Sequence, residues 1–349
     1  MRVAMADDIQ PMDPFAIRLP DLPRYPLLDR PSPLQPAARF AEALGGGFEL
    51  WLKREDLLPL AFGGNKLRNL EFLLGEALGR GADVLVTSGR RWSNHCRLTA
   101  AAGARAGLDV HVVLSGPPAP GGESANGRIE RLLGATVHQL DSADRAAREA
   151  CEAGLVADLR AAGRRPYRIP VGGSSAVGAA GQVLAAFELV AQLESFGGPP
   201  DVLMLPSATG GTQAGLLVGL RALGLATRVV GVVVARPPEE LALAVAATSA
   251  KLAELLGTEA PDDADIVLDA SQLGEGYGIP TAAAEEAALL LGRTEAVLVD
   301  PIYTAKALAA VVALGRSGAL AGQRVVFWHA GGTPGLFEPL DGAAPEGSR

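Results

Sequence analysis

A single lysine follows a Gly-Gly-Asn turn in the run Phe62-Gly63-Gly64-Asn65-Lys66-Leu67-Arg68-Asn69-Leu70-Glu71-Phe72. Lys66 opens a segment with apolar residues at Leu67, Leu70, Phe72, Leu73 and Leu74, an amphipathic spacing. An amine fixed on such a segment, and approached by small flexible backbone, suits a nucleophile that forms a Schiff base with a carbonyl cofactor. A surface lysine in a first helical turn is the competing reading, and the run alone does not separate the two.

Four further runs carry polar groups at places where ligands bind. Leu205-Pro206-Ser207-Ala208-Thr209-Gly210-Gly211-Thr212-Gln213-Ala214-Gly215 joins a strand pattern to a helix pattern. Amides at a helix start form an anion site, and glycine lets a phosphate come close. Thr209 and Thr212 add hydroxyls. The run lacks a P-loop lysine and the GxGxxG spacing, so a phosphomonoester fits better than a dinucleotide. Thr87-Ser88-Gly89-Arg90-Arg91-Trp92-Ser93-Asn94-His95-Cys96-Arg97 also leads from strand to helix. Ser93, Asn94 and the free amides there suit a substrate carboxylate, with a plain capping serine as the competing reading. Tyr277 lies between glycines in Gly274-Glu275-Gly276-Tyr277-Gly278-Ile279-Pro280. Tyr303 precedes a helix start in Asp300-Pro301-Ile302-Tyr303-Thr304-Ala305-Lys306. The chain has only 4 tyrosines, and either of these two could pass a proton if its surroundings lowered its pKa. Each could equally be a packing residue.

The elements around these runs alternate. The 349 residues exceed one compact core and suggest two domains. Aromatics make up 5% while glycines number 43, so helices are expected to pack closely through small side chains. An irregular lead-in over 1–47 holds a helix near Ala37 to Leu44. Strand patterns follow at Phe48 to Lys53, Asp83 to Thr87, Asp109 to Leu114, Thr136 to Leu140, Asp201 to Leu205, Val229 to Ala235, Val297 to Val299 and Arg324 to His329. Helix patterns lie at Lys66 to Leu78, Ser93 to Ala106, up to Leu133, Arg145 to Ala161, Gly178 to Glu194, Gln213 to Leu223, 237–255, 281–292 and from Thr304. The Gly/Pro-rich stretch Ser115 to Asn126 reads as a long loop, and Asp341 to Arg349 as a disordered tail. This is an α/β chain with two mainly parallel sheets flanked by helices.

Several classes are disfavoured. Net charge is −8 with no dominating basic run, which argues against nucleic acid. No apolar stretch approaches the roughly 20 residues of a bilayer span. The N-terminal residues lack a basic-then-apolar pattern, so cytoplasmic residence is the default. The 2 cysteines suggest neither disulfide nor metal, and the 4 histidines are scattered without HExxH spacing. No dinucleotide fingerprint supports an oxidoreductase.

Taken together, GGNKLRNLEF, TSGRRWSNHCRLTAAAGARAGL, NGRIERLLGA, ATGGTQAGLLVGL, EGYGIP, DPIYTAKA and HAGGTPGLF stand in one order. That co-linear series, from about Pro33 to Phe337, resembles the pyridoxal-phosphate enzymes of the tryptophan synthase β type. It is most similar to the family of D-cysteine desulfhydrase and 1-aminocyclopropane-1-carboxylate deaminase. The resemblance implies two open twisted sheets, a large domain over 1–64 and 175–349, a small domain over 65–174, and a cofactor site between them. It implies that Lys66 holds pyridoxal 5'-phosphate through a Schiff base and serves as base. Thr209, Gly210, Gly211 and Thr212 would hold the phosphate. Asn94 would touch the cofactor, with Thr304 also near it. Ser93, Asn94, His95 and Trp92 would meet the substrate, while Ser93, Tyr277 and Tyr303 would take part in catalysis.

The implied reaction is α,β-elimination on a small amino acid, releasing a 2-oxo acid and ammonia, in a homodimer. The deaminase, a specialised biosynthetic enzyme on the same scaffold, and an inactive ligand-binding relative are the alternatives. Six positions depart from the family. Thr304 stands where the deaminases carry Glu, which favours elimination over ring opening. Ala330 stands where the desulfhydrases carry Thr near the pyridine nitrogen; Thr304, Thr333 or a water are the candidate substitutes. Asn69 stands where Lys is usual. Arg90, Arg91 and Trp92 replace small, apolar and Gln residues. The two arginines either point to solvent or favour a substrate with a second acidic group, such as a sulfonate or carboxylate.

Overall fold

Apolar runs and glycine-punctuated amphipathic runs alternate along a chain whose computed structural model describes residues 19–119 and 123–338. In chain order the strands are β1 (Leu34–Pro36), β2 (Glu49–Arg54), β3 (Val84–Arg90), β4 (Asp109–Ser115), β5 (Thr136–Leu140), β6 (Pro166–Arg168), β7 (Val202–Ser207), β8 (Arg228–Val233), β9 (Val267–Asp269) and β10 (Arg324–His329). The helices are α1 (Ala38–Ala43), α2 (Lys66–Gly79), α3 (Asn94–Ala106), α4 (Ala125–Leu132), α5 (Arg145–Ala161), α6 (Ala176–Glu194), α7 (Gly211–Ala222), α8 (Pro238–Leu256), α9 (Ala282–Glu295) and α10 (Thr304–Arg316).

Two sheets result. One runs β1-β2-β10-β7-β8-β9 and the other β5-β4-β3-β6. Every pairing is parallel except that of β1 with β2. Parallel strands covered by helices on both faces are buried along their length, which is why Val84 to Val86 and Val229 to Val234 are continuous apolar runs. In both sheets the chain leaves a central strand in opposite directions: β3 lies between β4 and β6, and β7 between β8 and β10. Loops diverge at such reversals and leave a crevice beyond the carboxyl ends of the strands. Of the runs named above, those holding Ser93, Thr209 and Ala330 follow β3, β7 and β10, so both crevices contribute to one cleft.

Small residues bring the helices over the first sheet close together. A Cβ on Gly181 of α6 would sit 1.9 Å from the Arg68 carbonyl oxygen of α2. One on Gly215 of α7 would sit 2.4 Å from the Ala179 carbonyl oxygen of α6. The close packing expected from the composition is therefore present.

Most elements stand where the periodicity places them; Thr136 to Leu140, Arg145 to Ala161 and Arg324 to His329 agree to the residue. Three differences have physical reasons. Val297 to Val299 is not a strand: Val297 and Val299 are buried and Leu298 exposed, but the Leu298 carbonyl meets the His329 ring at 2.8 Å instead of a ladder. Alternation reports burial, and here burial came without pairing. Second, α6 does reach the length and apolarity of a bilayer span, with 19 residues and a mean hydropathy of 1.5. It is a core helix, with Ala179, Ala180, Val183, Ala185, Ala186, Leu189 and Leu193 buried, set against α2, α7 and α8. Third, β1, β6 and β9 span three residues each and were too short to read. Residues 1–18 of the lead-in and the tail from Asp341 lie outside the described residues, as do residues 120–122 of the long loop.

Candidate active site

Lys66 is delivered by a strained turn. Leu60, Ala61, Phe62, Gly63 and Gly64 all have positive φ, at 68°, 43°, 66°, 64° and 129°. Left-handed backbone costs a non-glycine residue about 1–2 kcal/mol, so other contacts must hold the turn. The buried Arg97 guanidinium donates to the Ala61 carbonyl and, at 3.3 Å, to that of Gly63. Gly64 N donates to Glu55 O at 2.9 Å and Asn65 N to Ala330 O at 3.0 Å. Arg68, two residues on, is locked between Glu55 (2.6 and 2.7 Å) and Glu188 (2.9 and 3.0 Å). Asn69 donates to Gly173 O at 3.2 Å and accepts from Gln182 Nε2 at 2.6 Å, so it ties α2 to α6 rather than entering the cleft.

The cleft has a volume of about 320 Å³, within the usual range of small-molecule sites. Lys66 shows its partly exposed surface to it. Its amine lies 3.4 Å from Thr212 Oγ1, and the protein around it lowers its pKa to about 8 by desolvation. At pH 7 about a tenth of such an amine is neutral, against well under a thousandth for an ordinary lysine. The neutral amine is the form that attacks a carbonyl. With limiting cofactor, the apoprotein should therefore gain visible absorbance at a rate that rises through pH 8 and levels above it. A profile still climbing toward pH 10.5 would contradict a desolvated Lys66.

Thr209, Gly210 and Thr212 line the same cleft. Gly210 caps α7 in left-handed conformation, φ 88°. The Thr209 hydroxyl meets Ser174 Oγ at 2.6 Å. A Cβ on Gly172, itself at φ +70°, would sit 2.4 Å from Thr209 Oγ1. The cradle thus exists only because glycine stands at 172 as well as at 210. Gly211 donates its amide to Ser174 Oγ at 3.3 Å, the hydroxyl that Thr209 also meets, and is not itself among the residues lining the cleft.

Ser93, Asn94 and His95 line the opposite wall at the start of α3. Ser93 accepts the Cys96 amide at 3.3 Å, and this capping role leaves its own proton available to the cleft. Asn94 Oδ1 accepts from Arg97 at 3.2 Å, which leaves its NH₂ for the cleft. His95 accepts no charge at neutral pH: burial, then the charge of Lys66, lowers its pKa to about 3. Its Nε2 lies 3.0 Å from Thr87 Oγ1, and its Nδ1 has no protein partner. Trp92 does not line the cleft. It fills the space over Gly278, edge-on to Tyr277 at 5.6 Å between ring centres. It shapes the wall from behind, and Tyr277 does have packing partners.

Tyr277 and Tyr303 both line the cleft, and their hydroxyls are hydrogen-bonded to each other. Neither has the lowered pKa that proton acceptance would need. Burial raises both, and the neighbouring phenol raises Tyr303 further, so both remain neutral donors. Asp300 sets Tyr303: its carboxylate accepts the amides of Ile302, Tyr303 and Thr304 at 3.0, 2.7 and 3.1 Å. Thr304 lines the cleft, but its hydroxyl lies 2.6 Å from Asp300 Oδ2 and 3.0 Å from Gly331 O. Its one proton is engaged there, so it is not a spare donor for a ring nitrogen. Arg91 is not at the solvent: it is buried, donates to Pro117 O at 3.1 Å and lies 3.4 Å from Glu338. Arg90 does line the cleft.

Sequence reading missed Asn65, Gly172, Ser174, Arg148 and Arg236. The Gly172-Gly173-Ser174 run carried a usable signal, a glycine pair beside a hydroxyl just after a strand. Among the described residues no cluster of three or more potential metal ligands occurs.

The family model described as pyridoxal-phosphate dependent enzyme matches residues 26–331. The chain belongs to the pyridoxal-phosphate-dependent enzymes. It is 40% identical over 318 residues to D-cysteine desulfhydrase of Salmonella typhi, covering 90% of this chain and 95% of that one. The Salmonella newport (strain SL254) protein of the same name is 39% identical over the same length. A solved structure of an ACC deaminase homologue superposes with a TM-score of 0.85 at 32% identity, covering 94% of this chain and 97% of that one. A fungal L-serine ammonia-lyase from Rhizomucor miehei shares the fold, with a TM-score of 0.64 at 19% identity. The fold is thus that of the tryptophan synthase β-like group, and the cofactor is pyridoxal phosphate.

The residues present fit that cofactor. A desolvated amine faces a glycine-walled turn with two threonine hydroxyls, across a cleft of sufficient size. When bound, pyridoxal phosphate disperses the charge left on Cα after proton removal.

Proposed function

We propose that this protein is a lyase that eliminates a β-substituent from a small amino acid, releasing a 2-oxo acid and ammonia. The observation that carries this reading is the Lys66 amine, brought to about 8 by burial and placed in one cleft with Ser93, Tyr277 and Tyr303. Identity of 40% to a D-cysteine desulfhydrase supports elimination as the reaction type.

The roles follow from position. The α3 amides, Ser93 and the Asn94 NH₂ hold the substrate carboxylate at a helix start. Lys66 Nζ, with Thr212 Oγ1 fixing it, accepts the Cα proton. The paired tyrosines share one hydrogen bond, so one phenolic proton remains free to reach the departing group. Thr209, Gly210 and Thr212 hold the phosphate, and the Ala330 position leaves the ring nitrogen to a water. Closure of the walls around Lys66 keeps water off the amine.

The domain division over 1–64 with 175–349, and 65–174, is supported by the strands. Those of the four-stranded sheet fall between 84 and 168, and those of the six-stranded sheet outside it. A homodimer and cytoplasmic residence complete the proposal, on family resemblance.

A panel of D- and L-β-substituted alanines, with release of 2-oxo acid and ammonia measured in stoichiometric amounts, tests the reaction. Equal yields from at least one member are expected. Spectral binding of every member without any 2-oxo acid would favour the inactive ligand-binding alternative.

A further inference from the structure

The cleft holds more positive charge than its assigned ligands use. Arg90, Arg148 and Arg236 line it, from the end of β3, from α5 and from the loop after β8. All three are half-buried. Among the described residues none is ion-paired with a carboxylate. Arg145 at the rim is different, because Glu149 lies 2.9 Å and Glu240 4.0 Å from it.

Arg90 is held in a slot. Its guanidinium lies 5.5 Å over the Trp92 ring, donates to Ala143 O at 3.4 Å and rests on Gly116. A Cβ on Gly116 would come within 3.1 Å of it. Arg148 reaches Ser115 Oγ only at 3.5 Å, and its Nε is buried without a partner. Arg236 makes no hydrogen bond among the described residues; burial and the charges of Arg145 and Arg148 depress its pKa, and Glu240 at the cleft opposes them without pairing to it. Arg148 also depresses Arg90, after burial, so it stands between the other two. Three guanidiniums with free donors in a partly desolvated cleft, Arg148 repelling each of the other two, form a seat for an oxyanion.

Two anions already have places: a phosphate at Thr209 to Thr212, and a carboxylate at the start of α3. Arg90 ends the strand that leads to Ser93, and it feels Tyr277 and Tyr303, where the β-substituent departs. We propose that Arg90 and Arg148, with Arg236 behind them, bind an anionic β-substituent, so that the substrate class is an alanine bearing a sulfonate or phosphate on Cβ. This rests on the elimination reading above. For the sulfonate, the Cα–H bond breaks with its proton passing to Lys66. The Cβ–S bond breaks with its electron pair leaving on sulfite. Water then completes hydrolysis to pyruvate, ammonium and hydrogen sulfite, with no oxidant required. The arginines stabilise the group that gains charge as it leaves. A β-carboxylate would bind in the same seat and could not leave.

The test compares 3-sulfoalanine and O-phosphoserine with cysteine and β-chloroalanine, in both enantiomers, on the cofactor-loaded protein and its Arg90→Gln, Arg148→Gln and Arg90→Lys variants. Melting curves check folding. Aspartate binding, read from the cofactor spectrum, gives a measure independent of turnover. The parent is expected to favour an anionic substrate at least about tenfold in kcat/KM, and each glutamine variant to lower that ratio at least about tenfold while weakening aspartate. Arg90→Lys should restore part of the ratio. A parent that favours the neutral substrates overturns the subsite and leaves the elimination reading standing. Glutamine variants that lose cofactor affinity with the ratio unchanged would assign the arginines to the cofactor phosphate instead. If no amino acid is turned over, yet aspartate binds the parent and is weakened in the variants, the subsite holds and the elimination reading falls.

Discussion

Lys66→Ala protein loaded with pyridoxal phosphate should lose turnover by about a thousandfold or more and lack the visible band of covalently held cofactor. The size follows from two roles in one side chain, attachment and proton acceptance, each worth orders of magnitude. The substitution leaves the fold in place, because the helix is anchored elsewhere. Arg68 keeps its bonds to Glu55 and Glu188, and Asn69 keeps Gly173 and Gln182. The melting midpoint of the apoprotein should therefore stay put or rise, since a desolvated amine has been removed. Comparison of apoprotein melting with loaded-protein turnover separates the two effects. Turnover within tenfold of the parent would remove Lys66 from the chemistry.

Gly181→Ala gives the largest expected loss of stability. An alanine at a helix interior normally gains about 1 kcal/mol over glycine. Here its methyl would lie 1.9 Å from the Arg68 carbonyl oxygen and 2.4 Å from its carbon. Those are backbone atoms, so no rotamer change relieves the overlap and α6 must move off α2. Overpacking of this kind costs about 3 kcal/mol, which exceeds the propensity gain. The net loss should be about 2 kcal/mol, seen as a melting midpoint lowered by about 3 °C. Gly154→Ala on α5 is the control: a Cβ there meets nothing within 4 Å, so propensity alone acts and stability should rise. A Gly181→Ala protein as stable as the control would show that α2 and α6 yield freely at this contact.

The alternation of strands and helices was legible because β3, β8 and β10 are covered on both sides and therefore carry apolar runs at their centres, Val84 to Val86, Val229 to Val233 around Gly231, and Val325 to Trp328. The short edges β1, β6 and β9 were not, because three residues define no period. Val297 to Val299 shows the converse error, since a buried extended segment and a paired strand share one pattern. In the cleft, Lys66, Ser93, Thr209, Thr212, Tyr277 and Tyr303 were legible because each sits at a boundary between elements, next to glycine or a helix start. Gly211 and Trp92 stand one layer behind the cleft lining: spacing gives the neighbourhood but not which side of the backbone faces the cleft. Arg148 and Arg236 were invisible. They come from a helix face and a loop that only the tertiary fold brings beside Arg90. The pKa directions were equally out of reach, because desolvation is a property of the assembled walls.

The placing of β10 has a consequence for biosynthesis. All four strands of the smaller sheet come from one contiguous stretch, so that sheet can close soon after it leaves the ribosome. The larger sheet must wait. Strands β2 and β7 have no shared neighbour until Arg324–His329 arrives to slot between them, and both present open edges in the meantime. The same late segment ends in Ala330 and Gly331, part of the wall facing Lys66. Capture of the cofactor thus marks a polypeptide whose translation has passed β10, and products truncated before it would be left both sticky and colourless.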